Sequence, residues 1–63
     1  MKGIYVLKHE QRFIAGYKSF SLSKGAKVQV TQVDKDKVLI DFGSRTMDWY
    51  DVSFLQKHFS KEN

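Results

Sequence analysis

The chain contains no cysteine and no proline, and its only histidines are His9 and His58. Without cysteine there is neither a disulfide nor a thiolate metal site to stabilise so small a domain. Nothing around the two histidines has metal-ligand spacing, so no metal or cofactor is expected. Without proline, no strand is interrupted. Long apolar runs are missing as well. The longest, Ile4-Tyr5-Val6-Leu7, falls far short of the roughly 20 residues that a membrane-spanning helix needs. The opening MKGIYVLKHE has a lysine and a brief apolar stretch, but not the apolar core of a secretory signal. No membrane is therefore expected among the partners, and the cytoplasm is the expected compartment.

What remains must fold by packing. Residues 1–63 read as a single domain, and a chain of that length buries only about 60% of the surface its unfolded form exposes. Five Phe, three Tyr and one Trp are the material available, each ring burying on the order of 150–250 Å². The charge is uneven. Through Lys27 there are six basic residues against Glu10 alone, whereas from Val28 onward five basic residues face six acidic ones. The net +4 is thus carried by the first half. A basic face of this kind suits nucleic acid or an acidic protein surface, and it also serves solubility.

Period-two alternation dominates the middle of the chain. Val28 and Val30 share a face, Val33 falls out of phase, and a bulge or a twist near Gln32 is expected. Val38, Ile40 and Phe42 share the next face, and Met47 and Trp49 alternate with Asp48 and Tyr50. Polar turns at 34–37 and 43–46 separate three antiparallel strands over roughly 26–33, 38–42 and 47–51. Towards the N-terminus, 3–7 and 13–17 read as strands and 18–25 as an irregular loop, with a turn conformation at Gly25. At the other end, Ser53 and Gln56 fit a capping box, and Leu55 and Phe59 sit at i and i+4. A short helix over 54–59 follows, with residues 60–63 expected to fray. Five short strands and a helical turn imply a curled antiparallel sheet, and closure into a small barrel removes exposed edges.

The runs Phe20-Ser21-Leu22-Ser23-Lys24-Gly25-Ala26-Lys27-Val28-Gln29-Val30, Val38-Leu39-Ile40-Asp41-Phe42-Gly43 and Asp48-Trp49-Tyr50-Asp51-Val52-Ser53-Phe54-Leu55 together resemble the rhythm of SH3-like barrels. Bacterial SH3 domains and Tudor- and KOW-type folds share that rhythm. The resemblance implies an all-β, small SH3-like barrel of about five antiparallel strands with a short C-terminal helical turn. The acidic-aromatic opening of eukaryotic SH3 domains is missing, as is the proline of their peptide groove, so proline-rich ligands are not implied.

Catalytic readings fail on context. Asp41-Phe42-Gly43 matches a kinase tripeptide, but the phosphate loop, strand lysine and catalytic aspartate that give it meaning have no room here. It reads as a strand end and a turn. Asp34 and Asp36 alternate with lysines in an exposed turn, and Asp48 and Asp51 fall on opposite faces of a strand. Neither pair has the enclosed cleft that acid–base work needs. Asp51 or Ser53 is expected to cap the helical turn. The serines lack an elbow motif, and no enzyme activity is expected.

The serious candidate is the interleaving of cations and rings. Arg12, Lys18, Lys24 and Lys27 would meet phosphates, and Tyr17 would stack on a base or hydrogen-bond to it. Phe20, Trp49 and Tyr50 form a further candidate interaction surface; Phe20 and Trp49 read first as core residues, with a ligand platform as the alternative. Trp49 and Tyr50 face opposite ways, so one is expected to anchor the barrel. The expected function is a non-enzymatic binding module for DNA or RNA. The alternative is a protein-interaction module, a small regulator or inhibitor of the kind phages and mobile elements encode, docking on a larger acidic protein. A monomer, or a homodimer paired through an open edge at 4–7, is expected.

Overall fold

The computed structural model describes residues 1–62. Alternating apolar residues build seven strands and one short helix. They are β1 (Gly3–Leu7), β2 (Gln11–Ala15), β3 (Lys18–Leu22), β4 (Lys27–Asp34), β5 (Lys37–Gly43), β6 (Thr46–Asp51), α1 (Val52–His58) and β7 (Phe59–Lys61). All pairings are antiparallel. One sheet runs β6-β5-β4-β1-β7, and β2 and β3 form a separate hairpin. This is a small all-β fold with a helical turn near its C-terminus.

The alternation in β2 explains the hairpin. Phe13 and Ala15 are buried while Arg12 and Ile14 are exposed, and Phe13 pairs with Phe20 across the hairpin. Gly16, at φ 63°, opens a two-residue turn that β-branched residues could not make. The stretch 18–25, expected to be an irregular loop, is therefore mostly strand β3, and the expected strand 13–17 ends at Ala15. The serines alternating with Phe20 and Leu22 suggested a loop, but Ser19 and Ser21 lie on the solvent side of a two-stranded ribbon where polar residues belong.

The core lies between the two sheets. Phe13, Val30, Val38, Ile40 and Leu55 are fully enclosed, with Leu7 and Phe59 beside them. The Phe13 ring has four aromatic neighbours, Phe20, Phe42, Phe54 and Phe59, with centroids 5.2 to 6.0 Å away. Leu55 from α1 and Phe59 from β7 both enter this cluster, as their spacing predicted.

Several expectations are corrected here. Among the described residues there are seven strands rather than about five. β1 is not an open edge: it pairs with β4 on one side and β7 on the other. The fraying expected for 60–63 is replaced through Lys61 by strand β7, whose Phe59 anchors it in the core; Asn63 lies outside the described residues. The helix begins two residues earlier than expected, and the Ser53–Gln56 capping box does not form. Asp51 occupies the N-cap without a side-chain capping bond. Its carboxylate pairs instead with Lys37, which pulls the lysine pKa above its usual value through that hydrogen bond and the charge of Asp51.

Two bulges set the face of each strand. The β4–β5 register shifts between Val30 and Gln32, as the dephasing of Val33 predicted. A second shift, at Phe42, lies between the Asp41–Met47 and Gly43–Thr46 pairs. Beyond it, Ser44 and Arg45 turn the chain with φ values of 53° and 62°. Left-handed backbone costs a non-glycine residue about 1–2 kcal/mol. Arg45→Gly should therefore raise the unfolding free energy by about 1 kcal/mol, net of the entropy glycine adds to the unfolded chain. Chemical denaturation checks this, and an unchanged or lower midpoint contradicts the strained turn.

Candidate nucleic-acid interface

The β2–β3 hairpin closes over the core with its tip beside β6, where hydrogen bonds hold it. The Asp48 carboxylate accepts from the Gly16 amide at 2.9 Å through one oxygen and from the Trp49 amide at 2.8 Å through the other. The Tyr50 hydroxyl donates to the Ile14 carbonyl at 2.7 Å. Burial, and secondarily the charge of Asp48, push the Tyr50 phenol pKa up. Asp48 thus ties the hairpin tip to an edge strand and blunts that edge. Asp48→Ala should cost about 1–2 kcal/mol, because it removes hydrogen bonds to a charged acceptor at a solvent-accessible site. It should also abolish hydrogen-exchange protection at Gly16 while β4 stays protected. Unchanged exchange at Gly16 rules out the tether.

The tether presents the tip to solvent. Tyr17 is 95% exposed, an extreme value for an aromatic residue. Beside it, the Lys18 ammonium donates to the Thr46 hydroxyl at 3.3 Å. Arg12 points outward from the hairpin, its Nε donating to the Ser19 hydroxyl at 3.1 Å, next to an exposed Ile14.

Two clefts meet at this end of the molecule. One, of about 370 Å³, has Phe20, Leu22 and Phe42 as its apolar lining and Ser19, Ser44 and Thr46 among its polar residues. The other, of about 350 Å³, lies among Tyr17, Arg45 and Met47. Both are bordered by Lys18 and Thr46, so they adjoin along the Lys18–Thr46 hydrogen bond.

The structure therefore brings Tyr17, Lys18 and Phe20 to one groove and leaves the other predicted cations at its margins. Arg12 lies on the outward face of the hairpin. Lys24 follows β3 on the turn held by the Gly25–Leu7 backbone bond. Lys27 lies beyond Gly43, and its ammonium is paired with Glu62 at 2.7 Å. Arg45, Phe42 and Met47 also line these clefts, and the sequence had not singled them out. Arg45 stood alone in a polar turn, and only the approach of the hairpin tip gives it company.

Trp49 and Tyr50 face opposite ways as expected, and Tyr50 is the one that turns inward. Its ring stacks on Phe54 at 4.8 Å and meets Phe42 at 5.9 Å. Trp49 is 43% exposed on the outer face of the sheet, with Met47 two residues before it also exposed. The core reading of Trp49 is thus corrected. Phe20 is half-buried, packing on Phe13 while lining the cleft.

On the far side of the hairpin, Phe54 continues to His58 at 4.7 Å and His58 to His9 at 5.6 Å. No third metal-ligating side chain joins these imidazoles among the described residues. His58 Nδ1 is buried without a hydrogen-bond partner. Desolvation, reinforced by Lys57, His9 and Lys8, lowers its pKa below the usual 6.5. The folded state therefore favours the neutral ring, and the unfolded chain takes up the proton first as pH falls. Stability should be full above pH 6.5 and decline as pH drops through the folded pKa. Thermal melts of His58→Phe should show a flatter pH dependence than wild type over this window, and an equal slope contradicts the assignment.

No protein family, characterised protein or solved structure matches the chain.

Proposed function

We propose that the protein is an SH3-like binding module that holds nucleic acid at the tip of the β2–β3 hairpin. The strand order supports the fold reading: a hairpin lies between the first and second strands of the sheet, three meander strands follow, and a helical turn precedes the last strand. The observation that carries the function is the position of Tyr17. A ring that is 95% exposed gains nothing for the fold, yet it lines one cleft with Lys18 and Arg45 at a tether-anchored tip. A base can stack on such a ring for about 1–3 kcal/mol while the cations meet flanking phosphates.

Fluorescence anisotropy with labelled DNA and RNA at low salt tests the reading. Binding in the micromolar range is expected, weakening steeply with added salt and weakened further by Tyr17→Ala. No binding at tens of micromolar refutes it. One observation favours a second reading: exposed Trp49 and Met47, with Leu39 in register between Trp49 and Gln32, form an apolar strip near Asp41 and the Lys37–Asp51 pair. That mixed surface suits a protein partner, and a nuclease-resistant complex lost on Trp49→Ala would support it.

A further inference from the structure

We propose that the cleft between β3 and the β5–β6 turn takes up a single unstacked nucleobase, so that the protein selects single strands over duplexes. Resting on the nucleic-acid reading above, this assignment adds the form of the ligand. The cleft has an aromatic floor. Phe20 and Phe42 meet edge to face at 5.0 Å, both half-buried, and Leu22 extends the apolar surface. A flat heterocycle gains from such a floor what water cannot, and every base has a face to offer. The volume of about 370 Å³ leaves space for a planar ring system together with its edge contacts.

The rim has the complementary chemistry. Ser19, Ser44 and Thr46 border the cleft, and a hydroxyl both donates and accepts, so it can satisfy base edges of either pattern. Lys18 stands at the junction with the neighbouring cleft, where Arg45 and Tyr17 lie. Its bond to Thr46 is long and solvent-exposed, so the ammonium can leave the hydroxyl for a phosphate at little cost. A base in the first cleft and the next base on Tyr17 would place the intervening phosphate near Lys18. The cations at the mouth favour a polyanion over an apolar peptide for the same floor. A duplex keeps its bases stacked and offers backbone and groove edges but no free base face along its length, so it leaves the cleft empty.

Three labelled probes of equal length test this at one low salt concentration: a single strand, its duplex, and an abasic strand of the same backbone. The single strand is expected to bind at least about fivefold more tightly than either of the others, the lower end of what one base contributes. Thr46→Trp, which fills the cleft from its shared border, should lower single-strand affinity about fivefold, the share of the base in the cleft, and leave the salt slope unchanged. Equal affinity for the abasic and intact strands overturns the proposal, and this comparison needs no variant. Unaltered single-strand binding by a folded Thr46→Trp protein also overturns it, while the broader nucleic-acid reading survives. Absence of binding to all three probes overturns both, and Thr46→Trp-sensitive binding of an apolar peptide in their place would point to a protein partner.

Discussion

Phe13→Ala is expected to leave the protein largely unfolded at ambient temperature. The ring is 2% exposed and joins the hairpin, the sheet, the helix and the last strand through a single aromatic cluster. Truncating a buried phenylalanine costs about 3–5 kcal/mol, the transfer term plus the cavity. Domains have about 0.05–0.15 kcal/mol of stability per residue. For 63 residues that is roughly 3–9 kcal/mol in all, so the loss rivals the total. No disulfide can compensate, because there is no cysteine. Circular dichroism should show a midpoint at least about 15 °C lower or no cooperative transition. Phe13→Leu, which keeps most of the volume, should still melt cooperatively. A Phe13→Ala protein that melts within a few degrees of wild type would show that the core is centred elsewhere.

The double charge reversal Lys18→Glu with Arg45→Glu should have the largest effect on binding, a loss on the order of 10–100-fold at low salt. Both side chains border the groove, and both are solvent-exposed, so the fold should tolerate the change. Each substitution removes an attraction for phosphate and adds a repulsion. On a single strand, the dependence of log affinity on log salt should flatten by about 0.7 for each phosphate that is no longer neutralised. The matched control is Lys27→Glu. Lys27 already spends its charge on Glu62, so its reversal should weaken binding far less. If Lys27→Glu is the more damaging variant, the interface lies on the β4 side and not at the hairpin tip.

How far the sequence revealed this architecture depended on where alternation was left undisturbed. The inward set Val28, Val30, Val38 and Ile40 was legible because neither bulge falls inside the Val28–Val30 or the Val38–Ile40 pair. Val33, out of phase, marked that bulge. Trp49 was not legible, for a definite reason. Counting back from the two-residue turn at Ser44 and Arg45, an unbroken ladder would pair Trp49 with Ile40 and bury it. The extra residue at Phe42 shifts the register by one, so Trp49 pairs with Leu39 on the outer face and Tyr50 pairs with Val38 inside. A slip of one residue exchanges the two faces of a strand, and no local feature of Asp41-Phe42-Gly43 announces it.

The site was legible in part. Tyr17 and Lys18 stood out as a ring beside a cation, and their positions bear on the same groove. Arg45 and Phe42 could not be joined to them from the sequence, since the link is a long-range interaction made by Asp48 across the hairpin tip. The same limit explains Lys27, whose partner Glu62 lies at the other end of the chain. β3 was hidden by composition: serines alternating with Phe20 and Leu22 read as loop until β2 supplies a partner.

The most direct test of nucleic-acid binding at the hairpin tip is an amide chemical-shift titration of the labelled protein with a short single-stranded oligonucleotide. The expected result is a set of saturable, salt-sensitive shifts confined to Gly16 through Phe20 and to Phe42 through Met47, with the Lys57 and Glu62 regions unmoved. Shifts centred on Trp49 and Leu39 alone, or none at all under conditions where the protein is folded, would contradict it.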